Sequence, residues 1–150
     1  MNDKNVNIKK LHGFYLEELN VGMWDLFSKT ITSADIVIYS GISGDTNPIH
    51  LDKNFAENTI FKEPISHGML TASLISAVIG TKLPGPGSIY IKQSLQFKAP
   101  VKVGDTVTAI ARIKNIIKTK GFVELKTICF IDDTVVIDGE ATVLVPRKKN

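Results

Sequence analysis

The sequence predicts an α+β domain, an antiparallel sheet curled around one buried helix. Three observations carry that prediction. Residues 68–80 are apolar on nearly every side, interrupted only by the small polar Thr71, Ser73 and Ser76, and a helix with that pattern is a buried one. From Ser88 onward, alternating segments are separated by short turn sequences, which argues for consecutive antiparallel strands. The chain has 150 residues, 43% of them hydrophobic, enough for one core without disulfides and consistent with a single domain over residues 1–150.

The elements follow in order. Residues 23–31 read as a first strand, with Trp24, Leu26 and Ser28 on one face. Thr32-Ser33-Ala34-Asp35 reads as a helix start, with Thr32 as the cap and Asp35 placing negative charge near the positive end of the helix dipole. Ile36-Val37-Ile38-Tyr39 continues that helix despite its β-branched residues, and Gly41 and Gly44 are expected to end it. Residues 51–56 suit a short helical turn or loop, and residues 61–64 should be irregular because Pro64 disfavours helix at Glu63.

After the buried helix, Leu83-Pro84-Gly85-Pro86-Gly87 is a hard break. Residues 88–97 then alternate, with Ile89, Ile91, Leu95 and Phe97 on one side and Tyr90, Lys92, Ser94 and Gln96 on the other. Three more strands are expected at 106–114, 122–131 and 134–145, joined at Thr119-Lys120-Gly121 and at Asp132-Asp133. In the last, Val135, Ile137, Ala141, Val143 and Val145 should share the buried face.

Charge and cysteine content narrow the function classes. The 18 basic and 15 acidic residues leave a net charge of +3. Much of the excess sits in Arg147-Lys148-Lys149, which reads as a solvated end. Elsewhere the two signs are interspersed, so no nucleic-acid partner is expected, while a modest positive balance favours a phosphate-bearing ligand. Cys129 is the lone cysteine. A disulfide within the chain and a cysteine metal cluster are therefore excluded, and its apolar surroundings make it a core residue. Residues 1–10 are polar, unlike a secretory signal, and no apolar run is long enough to span a membrane. A cytoplasmic protein is the expectation.

The chemistry concentrates in Gly44-Asp45-Thr46-Asn47-Pro48-Ile49-His50. An Asn-Pro turn between a carboxylate and an imidazole brings Asp45 and His50 toward one small volume, and such a pair holds and deprotonates water. The competing reading is a plain turn of turn-forming residues with His50 at the surface. The spacing is not that of a zinc site, and Gly41-Ile42-Ser43-Gly44 is not a hydrolase elbow, so no metal and no cofactor are expected. Ser66-His67-Gly68-Met69 opens the buried helix. Gly68 lets a ligand approach the backbone, and its N–H is placed to donate to a carbonyl oxygen as charge develops there. His67 is expected to pack and make one hydrogen bond. A water holder beside an oxyanion donor suits hydration of a double bond conjugated to a carbonyl.

These segments resemble the (R)-specific enoyl-CoA hydratases, in the MaoC-like branch of the hotdog fold. Ser43-Gly44-Asp45-Thr46-Asn47-Pro48-Ile49-His50-Leu51-Asp52 carries the likeness, joined by Ser66-His67-Gly68-Met69-Leu70, Gln93-Ser94-Leu95-Gln96-Phe97 and Pro100-Val101-Lys102-Val103-Gly104-Asp105. The resemblance implies a hotdog fold and syn addition of water to a trans-2-enoyl-CoA. It implies Asp45 and His50 as the catalytic pair, with Asp45 as general base, and the Gly68 N–H on the thioester oxygen. Ser66, Met69, Phe55 and Leu70 are the expected substrate contacts, Asn47 the brace of the turn, and a homodimer the expected assembly. Three neighbouring readings stay open: a dehydratase acting on acyl carrier protein, served by a basic rim drawn from Lys82, Lys92, Lys98 and Lys102; an acyl-CoA thioesterase; and a non-catalytic acyl-thioester-binding module.

Overall fold

The computed structural model describes residues 11–148. The polar segment 1–10 and Lys149 of the basic end lie outside the described residues. Strand β1 spans Trp24–Thr30, followed by helix α1 at Ser33–Ser43 and two short helices, α2 at Pro48–Leu51 and α3 at Lys53–Glu57. The long helix α4 covers Gly68–Thr81, and strands β2 (Ile89–Phe97), β3 (Thr106–Ile117), β4 (Phe122–Ile131) and β5 (Thr134–Leu144) complete the chain.

Helix α1 starts where the sequence places its cap. The Thr32 hydroxyl accepts from the Asp35 N–H at 3.2 Å, and the Asp35 carboxylate accepts from the Thr32 N–H at 2.8 Å. This reciprocal box satisfies two backbone donors that the first turn would otherwise leave unpaired. Lys29 approaches the same carboxylate at 3.1 Å. The cap bonds, ahead of the lysine, hold the Asp35 carboxyl below its ordinary range. The helix outlasts the expected stop at Gly41, which lies inside it; only Gly44, at φ 77°, takes the left-handed conformation that ends a helix.

The five strands form one antiparallel sheet in the order β1-β3-β4-β5-β2. β3, β4 and β5 are consecutive hairpins at the centre, and β1 and β2 are the edges. Helix α4 packs on the inner face against β3, β1 and β4. Ala109 and Ala111 of β3 are fully buried there, beside Leu125 of β4 and Ile137 and Val143 of β5. Leu74, Ile75, Val78 and Ile79 supply the helix side of the core.

Two expectations are corrected. The sheet does not enclose α4 on all sides: Met69, Ser73, Ser76 and Gly80 form an exposed stripe at helical spacing. Strict alternation also fails at three bulges that each add one residue to a strand, one of them at Lys114 of β3, between Ile113 and Asn115. In β2 the pairing skips Ile91, between Tyr90 and Lys92. In β5 it skips Val136, since Cys129 faces Ile137 and Phe130 faces Val135. Val136 and Ile137 are therefore both buried, and Val135 turns outward. The basic end is partly tied down, with Lys148 2.7 Å from Glu18 and Arg147 donating to the Lys118 carbonyl.

Candidate active site

The left-handed turn at Gly44 starts a relay of side-chain-to-backbone bonds. The Asp45 N–H donates to Ser43 Oγ at 3.1 Å, the Asn47 N–H to Asp45 Oδ1 at 3.2 Å, and the Ile49 N–H to Asn47 Oδ1 at 3.2 Å. Asn47 thereby caps α2, and Pro48 occupies its first turn, where no N–H is missed. The expected Asn-Pro turn is thus the start of a helix, which carries His50 back toward Asp45.

His50 Nδ1 lies 2.8 Å from the Ile65 carbonyl oxygen. A carbonyl only accepts, so Nδ1 carries a proton, and in the neutral ring Nε2 is then the nitrogen with the lone pair. Ile65 is itself fixed by its N–H to the Ile49 carbonyl at 3.3 Å and by a bridge to Lys102. The segment leading into α4 thus fixes the tautomer of His50.

Gly68 is the first residue of α4, so its N–H has no partner within the helix. A β-carbon on it would sit 2.6 Å from the Phe97 ring. Glycine is needed here for space, with Phe97 lying against the backbone.

These groups line one cleft of about 440 Å³. Asp45, His50, Ser66, Gly68 and Met69 all reach it. Two of the sequence candidates do not line it. Leu70 is 9% exposed and points into the core, because one residue along a helix turns the side chain about 100° from Met69. Phe55 lies on the outer side of α3, and its N–H caps onto Asp52 Oδ1 at 3.1 Å. The Ser66 hydroxyl is directed to the His67 carbonyl at 3.3 Å.

The remaining wall is Phe97, Lys98, Ala99, Pro100 and Val101, together with Phe61, Ile65, His67, Thr71 and Ile137. The bond from the Ser66 N–H to the Val101 carbonyl at 2.7 Å brings residues 98–101 to the cleft. Of the four lysines singled out in the sequence, Lys98 alone lines the cleft. Lys82 pairs with Asp25 and Lys102 with Glu63, and the Glu63 bond raises the pKa of the Lys102 ammonium.

His67 does more than the single hydrogen bond expected of it. It is 2% exposed. Its ring stacks on His50 at 3.8 Å between centroids and tilts against Tyr39 at 4.9 Å. Its Nε2 lies 3.0 Å from the Asp45 carbonyl oxygen and 3.3 Å from Ser40 Oγ. The signal in the sequence was a histidine at the mouth of an apolar helix. Its partners come from α1, α2 and the loop between them, which no local pattern reveals.

Donor atoms of Asp45, His50 and His67 gather within 4.8 Å of one another. The two rings are stacked, 30° from parallel, so their in-plane lone pairs do not converge as the ligands of one ion do. The Asp45 carboxylate and the His50 ring both line the cleft, close enough for one small polar ligand to reach the two.

Residues 25–134 match the MaoC like domain. The chain belongs to the MaoC-like family. An (R)-specific enoyl-CoA hydratase of Rhodospirillum rubrum is 50% identical over 89% of this chain and 93% of its own length. A 3-hydroxybutyryl-CoA dehydratase of Methylorubrum extorquens is 46% identical over 95% of this chain and 90% of its own length. Among solved structures, the R-hydratase PhaJ1 of Pseudomonas aeruginosa aligns with a TM-score of 0.85 and 40% identity, covering 91% of this chain and 88% of that one. The MaoC-like chain has the hotdog fold, with α4 as the helix that the sheet wraps.

Proposed function

We propose that this MaoC-like protein is an (R)-specific enoyl-CoA hydratase, adding water reversibly and syn to a trans-2-enoyl-CoA to give the (3R)-3-hydroxyacyl-CoA. The observation that carries the reading is the pairing of the Asp45 carboxylate with the His50 ring, whose Nδ1 is engaged by the Ile65 carbonyl, in the cleft that Gly68 opens. Two acceptors side by side take the two O–H bonds of one water and leave its oxygen lone pair facing the substrate.

The enoyl thioester lies with its carbonyl oxygen on the Gly68 N–H. As the water oxygen bonds to the β-carbon, one of its O–H bonds breaks toward the acceptor pair. Electron density moves through the α-carbon onto the thioester oxygen, where a placed donor is worth about 3 kcal/mol. The enolate then takes the same proton back at the α-carbon from the same face. No proton is gained or lost overall, and delivery from one face gives syn addition. Both members of the pair are acceptors before reaction, so the proposal shares the base role between Asp45 and His50 instead of assigning it to Asp45 alone.

The protein is further proposed to work as a homodimer. Strand β2 is a free sheet edge bearing exposed Ile89 and Ile91, and Phe97 at its end belongs to the cleft.

The test is conversion of crotonyl-CoA and longer enoyl-CoAs, with chiral analysis of the product. The expected product is the (3R)-alcohol. A (3S)-alcohol, or release of free CoA from a saturated acyl-CoA without hydration, would refute the reading. Comparison with the same acyl chains on acyl carrier protein decides which carrier is preferred.

A further inference from the structure

We infer that His67 is a positioning residue for the hydration, holding the Asp45 and His50 pair in register from behind the cleft. The inference rests on the hydratase reading. Three contacts carry it. His67 Nε2 meets the Asp45 carbonyl oxygen at 3.0 Å, so the backbone that presents the carboxylate is tied to the start of α4. The face of the His67 ring supports the face of the His50 ring at 3.8 Å. Tyr39 closes the other side at 4.9 Å. One buried imidazole therefore touches both members of the pair, each of which belongs to a short, otherwise exposed segment.

The protonation pattern is specified by the neighbours. The Ser40 hydroxyl donates to the Ile36 carbonyl at 3.0 Å, so its oxygen faces His67 as an acceptor at 3.3 Å. The Asp45 carbonyl is an acceptor too. Both partners of Nε2 accept, which makes Nε2 the protonated nitrogen and gives it a shared hydrogen bond. Nδ1 is buried with no partner among the described residues. That is tolerable for the bare nitrogen and unfavourable for an N–H, which would be buried without an acceptor. The titratable groups facing His67 are Asp45, His50 and Tyr39.

His67 lines the cleft, but its Nε2–H is directed to the Asp45 carbonyl and Ser40 Oγ, so its removal acts through geometry. A misplacement of about 1 Å in a reacting group costs on the order of 100-fold in rate. The expected result for His67→Phe, which keeps a ring but cannot donate, is a kcat lower by about 10- to 100-fold, with KM changed by less than about threefold. His67→Gln places an amide N–H where Nε2–H stood and should recover most of kcat. Unchanged kcat in His67→Phe, a loss confined to KM, or a His67→Gln variant no better than His67→Phe would each overturn the inference.

A measurement on the wild-type protein does not depend on either variant folding. With 15N-labelled histidine, long-range 1H–15N correlation should show His67 as the Nε2–H tautomer, its signals identified by their loss in His67→Gln or, failing that, by contacts to Tyr39. An Nδ1–H tautomer overturns the inference whether or not the protein turns over any enoyl-CoA. A wild-type protein inactive on every enoyl-CoA would instead sink the hydratase reading.

Discussion

Asp45 and His50 are presented by different devices, and the difference predicts how each tolerates change. The Asp45 side chain braces the turn through the Asn47 N–H, while its carbonyl is held separately by His67. Asn in place of Asp45 keeps an acceptor for that N–H and removes the charge. Asp45→Asn should therefore fold normally and lose about 10²- to 10⁴-fold in kcat, the range of a general acid–base group. His50→Ala should lose activity on a similar scale with a lower melting temperature, because it also removes the bond to Ile65 and the stack on His67. Thermal melts beside single-wavelength hydration assays check both. At the opposite pole is Cys129. It is buried on β4, with Sγ 3.9 Å from the Thr71 carbonyl, and burial pushes its thiol up to about 12. A disulfide exchange reagent should leave the native protein unmodified at pH 8 and react with one thiol per chain on denaturation.

Two elements carry their own tests. In the α1 cap, the bonds from Thr32 lower the Asp35 pKa in the folded state. A depressed carboxyl stabilises the fold above its unfolded value, here 3.8, and that contribution is lost as pH falls through the folded value. The stability gap between wild type and Asp35→Ala in urea melts should be constant from pH 7 to about 5 and shrink below about 4. Thr32→Ala should cost about 1 kcal/mol at neutral pH. In β5, a β-carbon on Gly139 would lie 2.1 Å from the Ser94 carbonyl oxygen of β2. Backbone cannot swing aside as a side-chain tip does. Gly139→Ala should therefore open the β2–β5 pairing and cost roughly 1–3 kcal/mol, the usual price of overpacking.

The elements were legible to different degrees for physical reasons. The cap at Thr32 and Asp35 could be read because capping is local chemistry, settled within four residues. Helix α4 was evident from its apolar run, but not its exposed stripe, since Ser73, Ser76 and Gly80 are small enough to suit either side. The bulge at Val136 left no mark, because an added residue between two apolar neighbours looks like continued strand, and the bulge at Ile91 sits inside a segment that alternates in sequence without a break. In the cleft, Asp45, His50 and Gly68 were read from motif chemistry. Leu70 and Phe55 were misplaced because facing depends on helix phase against the sheet, and Phe61 and Ala99 were missed because which residues wall the cleft is set by tertiary contacts, such as the bond from the Ser66 N–H to the Val101 carbonyl.

At the scale of the whole molecule, β2 is a sheet edge with no further strand beside it among the described residues. An edge strand with exposed Ile89 and Ile91 is a template for another strand. Pairing two copies along β2 would be self-complementary, as a twofold interface requires. Light scattering after gel filtration should give twice the 16.4 kDa chain mass. Ile91→Lys should lower that mass toward the monomer at micromolar concentration. Because Phe97 belongs to both β2 and the cleft, hydration should fall with dimer content. A wild-type protein that runs as a monomer at high concentration and is fully active would reject this assembly.

The bond from His67 to the Asp45 main chain has one more consequence. A carbonyl oxygen is common to every amino acid, so the loop is anchored by a part of residue 45 that no substitution can remove. A side chain at that position that still accepts from the Asn47 N–H can therefore change while the path of the chain is kept. Position 45 is a socket. Descendants of this domain, or a designer working from it, can exchange the reactive group there for another acceptor of similar reach and keep the cleft, its donor and its neighbouring imidazole in place.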